Sequence, residues 1–190
     1  MNALTVTSVS GADLLGLRAS VGRVYEEAFT GPPWQGAGDA GGFLARLQDD
    51  VLRPGFTAAV AFEAGSVVGF ATAWTTPARL PPGRCYPQAG AALGPERTKA
   101  WLCGAREVDE LAVTAAARHR GTGSALLEAV TDGASDGRCW LSTPVGAVHA
   151  LSFYRRQGWV QATHPAPEGA GHTVLLGPRH PARTAVPLAL

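Results

Sequence analysis

The stretch Glu107–Leu127 constrains this chain more than any other. It reads Glu-Val-Asp-Glu-Leu-Ala-Val-Thr-Ala-Ala-Ala-Arg-His-Arg-Gly-Thr-Gly-Ser-Ala-Leu-Leu, a strand pattern that runs into two closely spaced glycines and then directly into a helix pattern. The first N–H groups of a helix have no intrahelical partner and sit at the positive end of its dipole. Arg120–Ser124 is therefore a ready anion site, because Gly121 and Gly123 have no Cβ to hold a phosphate off the backbone and Arg118 and Arg120 add charge. The residues after Gly123 exclude two familiar phosphate motifs. A P-loop needs Lys-Ser/Thr after the last glycine, where Ser124-Ala125 stand, and a dinucleotide fingerprint needs a third glycine where Leu126 stands.

The rest of the chain supplies elements around that turn. Leu4–Val9 reads as a short strand. Ser10 or Asp13 caps a helix in which Leu14, Leu17, Val21, Val24 and Ala28 recur at helical spacing, stopped by Gly31-Pro32-Pro33. Asp39–Leu52 is a second helix pattern. Thr57–Phe62 and Val67–Trp74 form a hairpin around Glu63-Ala64-Gly65-Ser66. Thr76–Gly104 is broken by five prolines and carries at most a short helix at Pro95–Leu102. Glu107–Val113, Gly121–Thr131, Arg138–Ser142, Ala147–Arg156, Trp159–Thr163 and Thr173–Leu176 then alternate strand and helix. The expected class is α/β with a mixed sheet. Residues 1–177 form the expected domain and 178–190 a Pro/Ala-rich, flexible tail.

Composition narrows the function classes. A chain of 190 residues with 46% hydrophobic and 16% charged residues makes one domain with a proper core. A net charge of +1 carries no basic surplus, so no nucleic-acid partner is expected. No apolar run is long enough for a membrane, and the N-terminus has no signal-peptide pattern, which together point to a cytoplasmic location. Cys85, Cys103 and Cys139 are odd in number and widely spaced, and none of the five histidines pairs with an acid or cysteine at ligand spacing. Neither a disulfide framework nor a metal site is expected.

The segment Arg118-His119-Arg120-Gly121-Thr122-Gly123 resembles the acetyl-coenzyme A loop of the GNAT superfamily of N-acetyltransferases, Arg/Gln-x-x-Gly-x-Gly/Ala, and Leu111-Ala112-Val113 is similar to the strand before it. Ala150-Leu151-Ser152-Phe153-Tyr154-Arg155-Arg156-Gln157-Gly158-Trp159 resembles that family's second block, Ala-x-x-Phe-Tyr-x-x-x-Gly-Phe, at the expected distance downstream. With the order of elements before Trp74, the resemblance covers most of Leu4–Leu176. It implies a single-domain GNAT-like fold, a mostly antiparallel mixed sheet with a splayed central strand pair, flanked by helices. It also implies acetyl-CoA as co-substrate, held by Leu111, Ala112, Val113, Arg118, His119, Arg120, Gly121, Thr122, Gly123 and Ser124. Two positions depart from the family pattern: Ala115 replaces a frequent proline, and Ala147 stands where many members carry a cofactor-contacting Asn.

Transfer of an acetyl group to an amine needs a base for the ammonium, an acid for the leaving thiolate and a donor for the oxyanion. By the resemblance these are an acidic residue of the strand, Tyr154 and the Val113 N–H. Strand alternation puts Glu107, Asp109 and Leu111 on one face and Val108, Glu110 and Ala112 on the other. The resemblance implies an acidic base at a position matching Asp109, ranked first, or Glu107, ranked second, with Glu110 third because its face should differ; members that use a water chain and no single base are the alternative. His119 is expected to face solvent, and His149 is a lesser candidate for the site.

The expected reaction is direct transfer in a ternary complex. In Thr76–Gly104, Arg79, Arg84, Arg97 and Lys99 stand against Glu96 alone, the wrong sign for a polycationic acceptor. Trp34, Trp74, Tyr86 and Trp101 either line an aromatic acceptor pocket or belong to the core. A small-molecule amine, neutral or acid-bearing, is the expected acceptor. A protein N-terminus or a lysine is the alternative within the enzyme class, and a CoA-binding module without catalysis is the alternative outside it. Many members of the family form homodimers, and no stripe in this sequence marks an interface.

Overall fold

The computed structural model describes residues 4–34, 38–164 and 171–186. Its contacts fall into two compact units, residues 1–74 with Val108–Gly133, and Thr75–Glu107 with Ala134–Leu190.

The first unit opens with β1 (Thr5–Val9), α1 (Gly11–Gly16), α2 (Arg18–Phe29) and α3 (Ala40–Asp50). Ser10 and Asp13 cap α1 reciprocally: Ser10 Oγ accepts from the Asp13 N–H at 3.1 Å while the Asp13 carboxylate accepts from the Ser10 N–H. The single long helix expected here is two helices. Gly16 is a poor helix former, and at Leu17 (φ −95°, ψ 9°) the N–H is shared between the Asp13 and Leu14 carbonyls, a tightened turn that re-aims the chain.

β2 (Thr57–Glu63) pairs antiparallel with β1 and with β3 (Ser66–Thr75). The β2–β3 turn has Ala64 at φ 52° and Gly65 at φ 76°, the two positive angles that a two-residue hairpin needs to match strand twist. β4 (Arg106–Val113) continues beside β3, with the Thr114 N–H on the Val68 carbonyl at 2.9 Å. Close approach there is eased by Gly69, since a Cβ would stand a tight 3.0 Å from both the Ala112 carbonyl and Leu126 Cδ1. One face of the sheet buries Ala58, Val60, Phe70 and Ala112 under Leu14, Val21, Val24, Tyr25, Phe43 and Leu47. On the other, Leu126 of α6 (Thr122–Thr131) packs over Gly69.

In the second unit β5 (Cys139–Pro144) pairs antiparallel with β7 (His172–Leu176), and β7 with the short β6 (Val160–Gln161). β6 stops earlier than its sequence pattern because the Thr163 hydroxyl takes the Val174 N–H at 2.9 Å, where a ladder carbonyl would otherwise stand. α7 (Val148–Arg156) ends at Gly158, whose φ of 80° suits a left-handed helix stop.

The proline-broken stretch holds more helix than expected. α4 (Tyr86–Leu93) is followed by the single turn α5 (Pro95–Arg97) and a π-helical turn over Thr98–Leu102. Pro87 lies in the first turn of α4, where a missing N–H is harmless, and Tyr86, Ala89 and Leu93 drop at helical spacing into a core with Trp101, Leu102, Trp140, Val174 and Leu176.

Beyond Gly177 the chain was expected to hang free. His180 is instead 1% exposed: its Nε2–H donates to the Trp101 carbonyl at 3.0 Å, and its Nδ1 accepts from the Ala182 N–H at 3.1 Å. Ala182 and Val186 pack against the same core. Residues 187–190, the end of the expected tail, lie outside the described residues.

Burial holds the His180 imidazole below its ordinary pKa of 6.5, and partial desolvation lowers that of His172, which is more exposed. The unfolded chain then binds protons that the folded chain resists. Their contribution to stability is complete above about pH 6.5 and is lost as pH falls below it. The melting temperature should therefore drop between pH 7 and 5. His180→Ala should cost about 1–3 kcal/mol at pH 7, with a shallower acid slope, the remainder belonging to His172; thermal melts across that range measure both.

Candidate active site

The turn between β4 and α6 is fastened at four points. The Thr122 hydroxyl, buried, donates to the Ala117 carbonyl at 2.8 Å. The Ala115 N–H donates to Glu27 Oε1 of α2, also at 2.8 Å. Arg118 Nε–H reaches back to the Val113 carbonyl at 3.2 Å. Arg120 forks onto Glu63 at the β2–β3 hairpin, at 2.6 and 3.1 Å. That hydrogen-bonded pairing holds the Glu63 carboxyl below its usual range. The Arg120 guanidinium is thus engaged in holding the loop, which leaves its backbone rather than its side chain as an anion donor.

His119 faces solvent, as expected, in the left-handed region at φ 60°. Gly121, at φ 81°, is the N-cap of α6 and brings no side chain to cap it. A Cβ built there would meet nothing within 4 Å. The result is a ten-residue helix whose first N–H groups open onto space beside a glycine backbone. Gly123 and Ser124, half-buried, lie in its first turn. These residues are of a kind that fits a phosphate-bearing ligand: the helix start carries no capping side chain, Gly121 holds a positive φ there, and the turn is pinned on both sides.

Upstream on β4 the acids separate. Glu107, 3% exposed, lies in the second unit, where its Oε2 accepts from the Tyr86 hydroxyl at 2.8 Å and the Thr76 hydroxyl at 3.2 Å. Thr76 Oγ1 in turn accepts from Trp140 Nε1–H at 2.7 Å. Asp109 and Glu110, half-buried, lie in the first unit beside Tyr25. Burial, with the charges of Glu110 and Asp109, raises the Tyr25 pKa above 10.0 against the opposing pull of Arg46. Glu110, ranked third because it was expected to point the other way from Asp109, stands 3.9 Å from the Arg46 guanidinium.

Tyr154, on α7 of the second unit, is 9% exposed, its ring against Phe153 at 5.2 Å and Trp159 at 5.9 Å. Ala147 is buried at the start of the same helix and His149 is exposed. The unit of Val113, Asp109 and the glycine loop therefore differs from the unit of Glu107 and Tyr154.

The aromatic residues offered as pocket walls are mostly core: Trp74 is fully buried and Tyr86 1% exposed, while Trp101 at 8% packs with the second core. Tyr86, Thr76 and Trp140 as partners of Glu107 were not read from the sequence. The Tyr86–Leu93 spacing was the available signal, masked by the prolines around it.

Two of the three thiols are held protonated. Burial pushes Cys139 up to about 11 and raises Cys103 as well. Among the described residues no cluster of His, Cys, Asp or Glu could hold a metal ion, and no helix is long and apolar enough to cross a membrane.

The sequence profile of the acetyltransferase (GNAT) domain matches residues 54–161. No curated protein sequence matches the chain. Solved structures share the fold. PH1933 from Pyrococcus horikoshii OT3 superposes with a TM-score of 0.65 at 14% identity, covering 92% of this chain and 98% of that one. The ribosomal-protein-S18-alanine N-acetyltransferase of Escherichia coli gives 0.57 at 15% identity over 99% and 97%. The aminoglycoside N-acetyltransferase AAC(6')-Iy in complex with CoA gives 0.56 at 14% over 87% and 93%.

Glu107→Ala should destabilise the protein by about 1–3 kcal/mol for each hydroxyl left buried without an acceptor, and Glu107→Gln should recover most of the loss. Arg120→Ala, which opens an exposed pair, should leave the denaturant midpoint nearly unchanged. Urea melts of the three variants compare them directly.

Proposed function

The chain belongs to the GNAT acetyltransferase family, whose acetyl donor is acetyl-CoA, and from that premise we propose that it acetylates a primary amine of a small molecule by direct transfer in a ternary complex. The observation that carries this reading is the uncapped N-terminus of α6 at Gly121, held open by a loop fastened to α2, to the hairpin and to β4.

When bound, acetyl-CoA supplies the activated acyl carbon. The backbone N–H groups of Gly121–Ser124 hold the pyrophosphate, with Arg118 and His119 at the rim, and Leu111–Val113 offer their strand edge to the pantetheine arm. The Val113 N–H stabilises the developing oxyanion. Asp109 takes the proton of the acceptor ammonium and Tyr154 gives one to the departing thiolate. The hydroxyls already on Glu107, and its burial, favour Asp109 over it as the base. Direct transfer is supported by the thiols, since burial keeps Cys139 and Cys103 protonated and poorly nucleophilic.

A protein N-terminus is the second reading, favoured by the shared fold with the S18-alanine enzyme, which spans 99% of this chain. Three arginines and a lysine against one glutamate in Thr76–Gly104 speak against a polycationic acceptor of the aminoglycoside kind.

Calorimetry with acetyl-CoA tests the cradle. Wild type should bind in the micromolar range. Gly121→Ala should weaken binding through backbone strain alone, and Gly121→Glu should abolish it by placing a negative charge in the anion site. No binding by folded wild type would defeat the proposal. In a thiol-release assay Tyr154→Phe and Asp109→Asn should each lower kcat by about 100-fold while leaving acetyl-CoA affinity unchanged. Full activity in Tyr154→Phe would remove the tyrosine from the mechanism, and binding without turnover on any amine would favour a CoA-binding module.

A further inference from the structure

One fastening of the turn between β4 and α6 comes from a helix that neither the donor site nor the proton transfers otherwise use. Glu27 lies on α2, and its Oε1 accepts the Ala115 N–H at 2.8 Å across 88 residues of chain. Ala115–Ala117 is one short 3₁₀ turn, and the first N–H groups of such a turn have no partner within it. Thr114, the residue before it, supplies no side-chain cap, and its buried hydroxyl has no hydrogen-bond partner among the described residues. The cap comes from α2 instead.

Glu27 is itself held in register with the sheet. Arg23, one helical turn earlier, has its Nη1 3.9 Å from Glu27 Oε2, and its Nη2–H donates to the Val67 carbonyl at 2.7 Å. The next carbonyl of β3, that of Val68, takes the Thr114 N–H at 2.9 Å. So α2 and the start of the turn are referred to two successive residues of one strand, and Glu27 closes the ring between them. The remaining contacts do different work. Thr122 on Ala117 and Arg118 on Val113 each join residues five apart and travel with the segment they close. Arg120 on Glu63 holds the far end, next to Gly121. Nor does Glu27 serve by its charge: a carboxylate beside a turn that receives a phosphate opposes the ligand, so what it contributes is position.

We infer that Glu27 is a positioning residue for acetyl-CoA: by capping Ala115 it holds the turn in the shape that keeps the start of α6 open to the pyrophosphate, and the affinity for the donor is set in part from α2. The inference rests on the proposed acetyltransferase reading and goes beyond it. Without the cap the turn populates other shapes, and the apparent affinity falls with the competent fraction. The geometry also names a replacement. Thr114, at φ −57° and ψ 150°, is extended, as a residue before proline must be. Ala115 takes the first position of its turn, where proline needs no N–H partner and brings a fitting φ. Ala115→Pro should therefore make Glu27 dispensable.

Calorimetry with CoA and with acetyl-CoA, thermal melts and amide exchange followed by NMR test this on the full chain. The Ala115 amide should exchange more slowly in the free wild type than in Glu27→Ala. Glu27→Ala should weaken binding of both ligands by about tenfold while leaving the melting temperature nearly unchanged. Glu27→Gln, which keeps an acceptor oxygen and loses the charge, should stay within about threefold of wild type. Ala115→Pro should bind as wild type does, and adding Glu27→Ala to it should cost nothing further, a non-additive pair. Equal or tighter binding by Glu27→Ala would overturn the inference. So would an equal loss in Glu27→Gln, a double variant as weak as Glu27→Ala alone, or an Ala115 amide that exchanges equally fast with and without Glu27. If Ala115→Pro by itself does not fold, the contrast between Glu27→Ala and Glu27→Gln decides. A folded wild type with a slowed Ala115 amide that binds neither ligand would instead strike the acetyltransferase reading beneath it.

Discussion

A helix that starts on a bare glycine leaves its first-turn N–H groups pointing outward, and α6 starts that way at Gly121. Such an end has no reason to stay open, since a chain free to move would fold a side chain over it or fray. The contacts of the preceding loop prevent both. Thr122 closes the turn from inside, Glu27 holds Ala115 from α2, and Arg120 ties the far side to Glu63 on the hairpin. None of these contacts is strong alone. They act together because they join elements that the hydrophobic core already holds, and Gly69 lets β3 come close enough to β4 and Leu126 for the core to do so.

The second unit solves a different problem, a carboxylate with almost no access to water. Burying an ionised group is costly unless donors meet it. Tyr86 and Thr76 supply two, and Trp140 completes the chain of donors by giving its own N–H to Thr76. Three segments far apart in the sequence are joined through one carboxylate. Such a network makes Glu107 a fixed point of the interior, and it explains why a segment rich in proline still carries a helix: Tyr86 anchors the first turn of α4 where Pro87 does no harm. Charge is used the opposite way at Arg46, whose side chain is left half open to solvent. One acid on β4 is sealed by hydroxyls, and another, three residues on, stands 3.9 Å from a half-exposed guanidinium.

Much of the family signature was legible in the residues. The glycine loop, the strand before it and the Phe153–Tyr154 block are local signals, since a backbone turn of fixed geometry admits few residue types. Helices with an uninterrupted apolar stripe, such as α3, were legible for the same reason. The break at Leu17, α4 and the buried His180 were hidden. In each a local preference is outweighed by contacts from elsewhere: a shared N–H at a glycine, a core that Tyr86 and Leu93 complete, a carbonyl of Trp101 that a histidine reaches from well down the chain.

The sequence by itself determined the family and most of the strands and helices, because these follow from the short-range steric and hydrogen-bonding demands of particular residues. The tertiary structure alone decided which acid is buried and which is accessible. It also decided that Arg120 serves the hairpin while Arg46 remains half open, and that His180 belongs to a core. Alternation along a strand assigns a side chain to a face, but only the packed neighbours on that face settle whether a charge there meets hydroxyls, a guanidinium or water, and it is that company which sets what the charge can do.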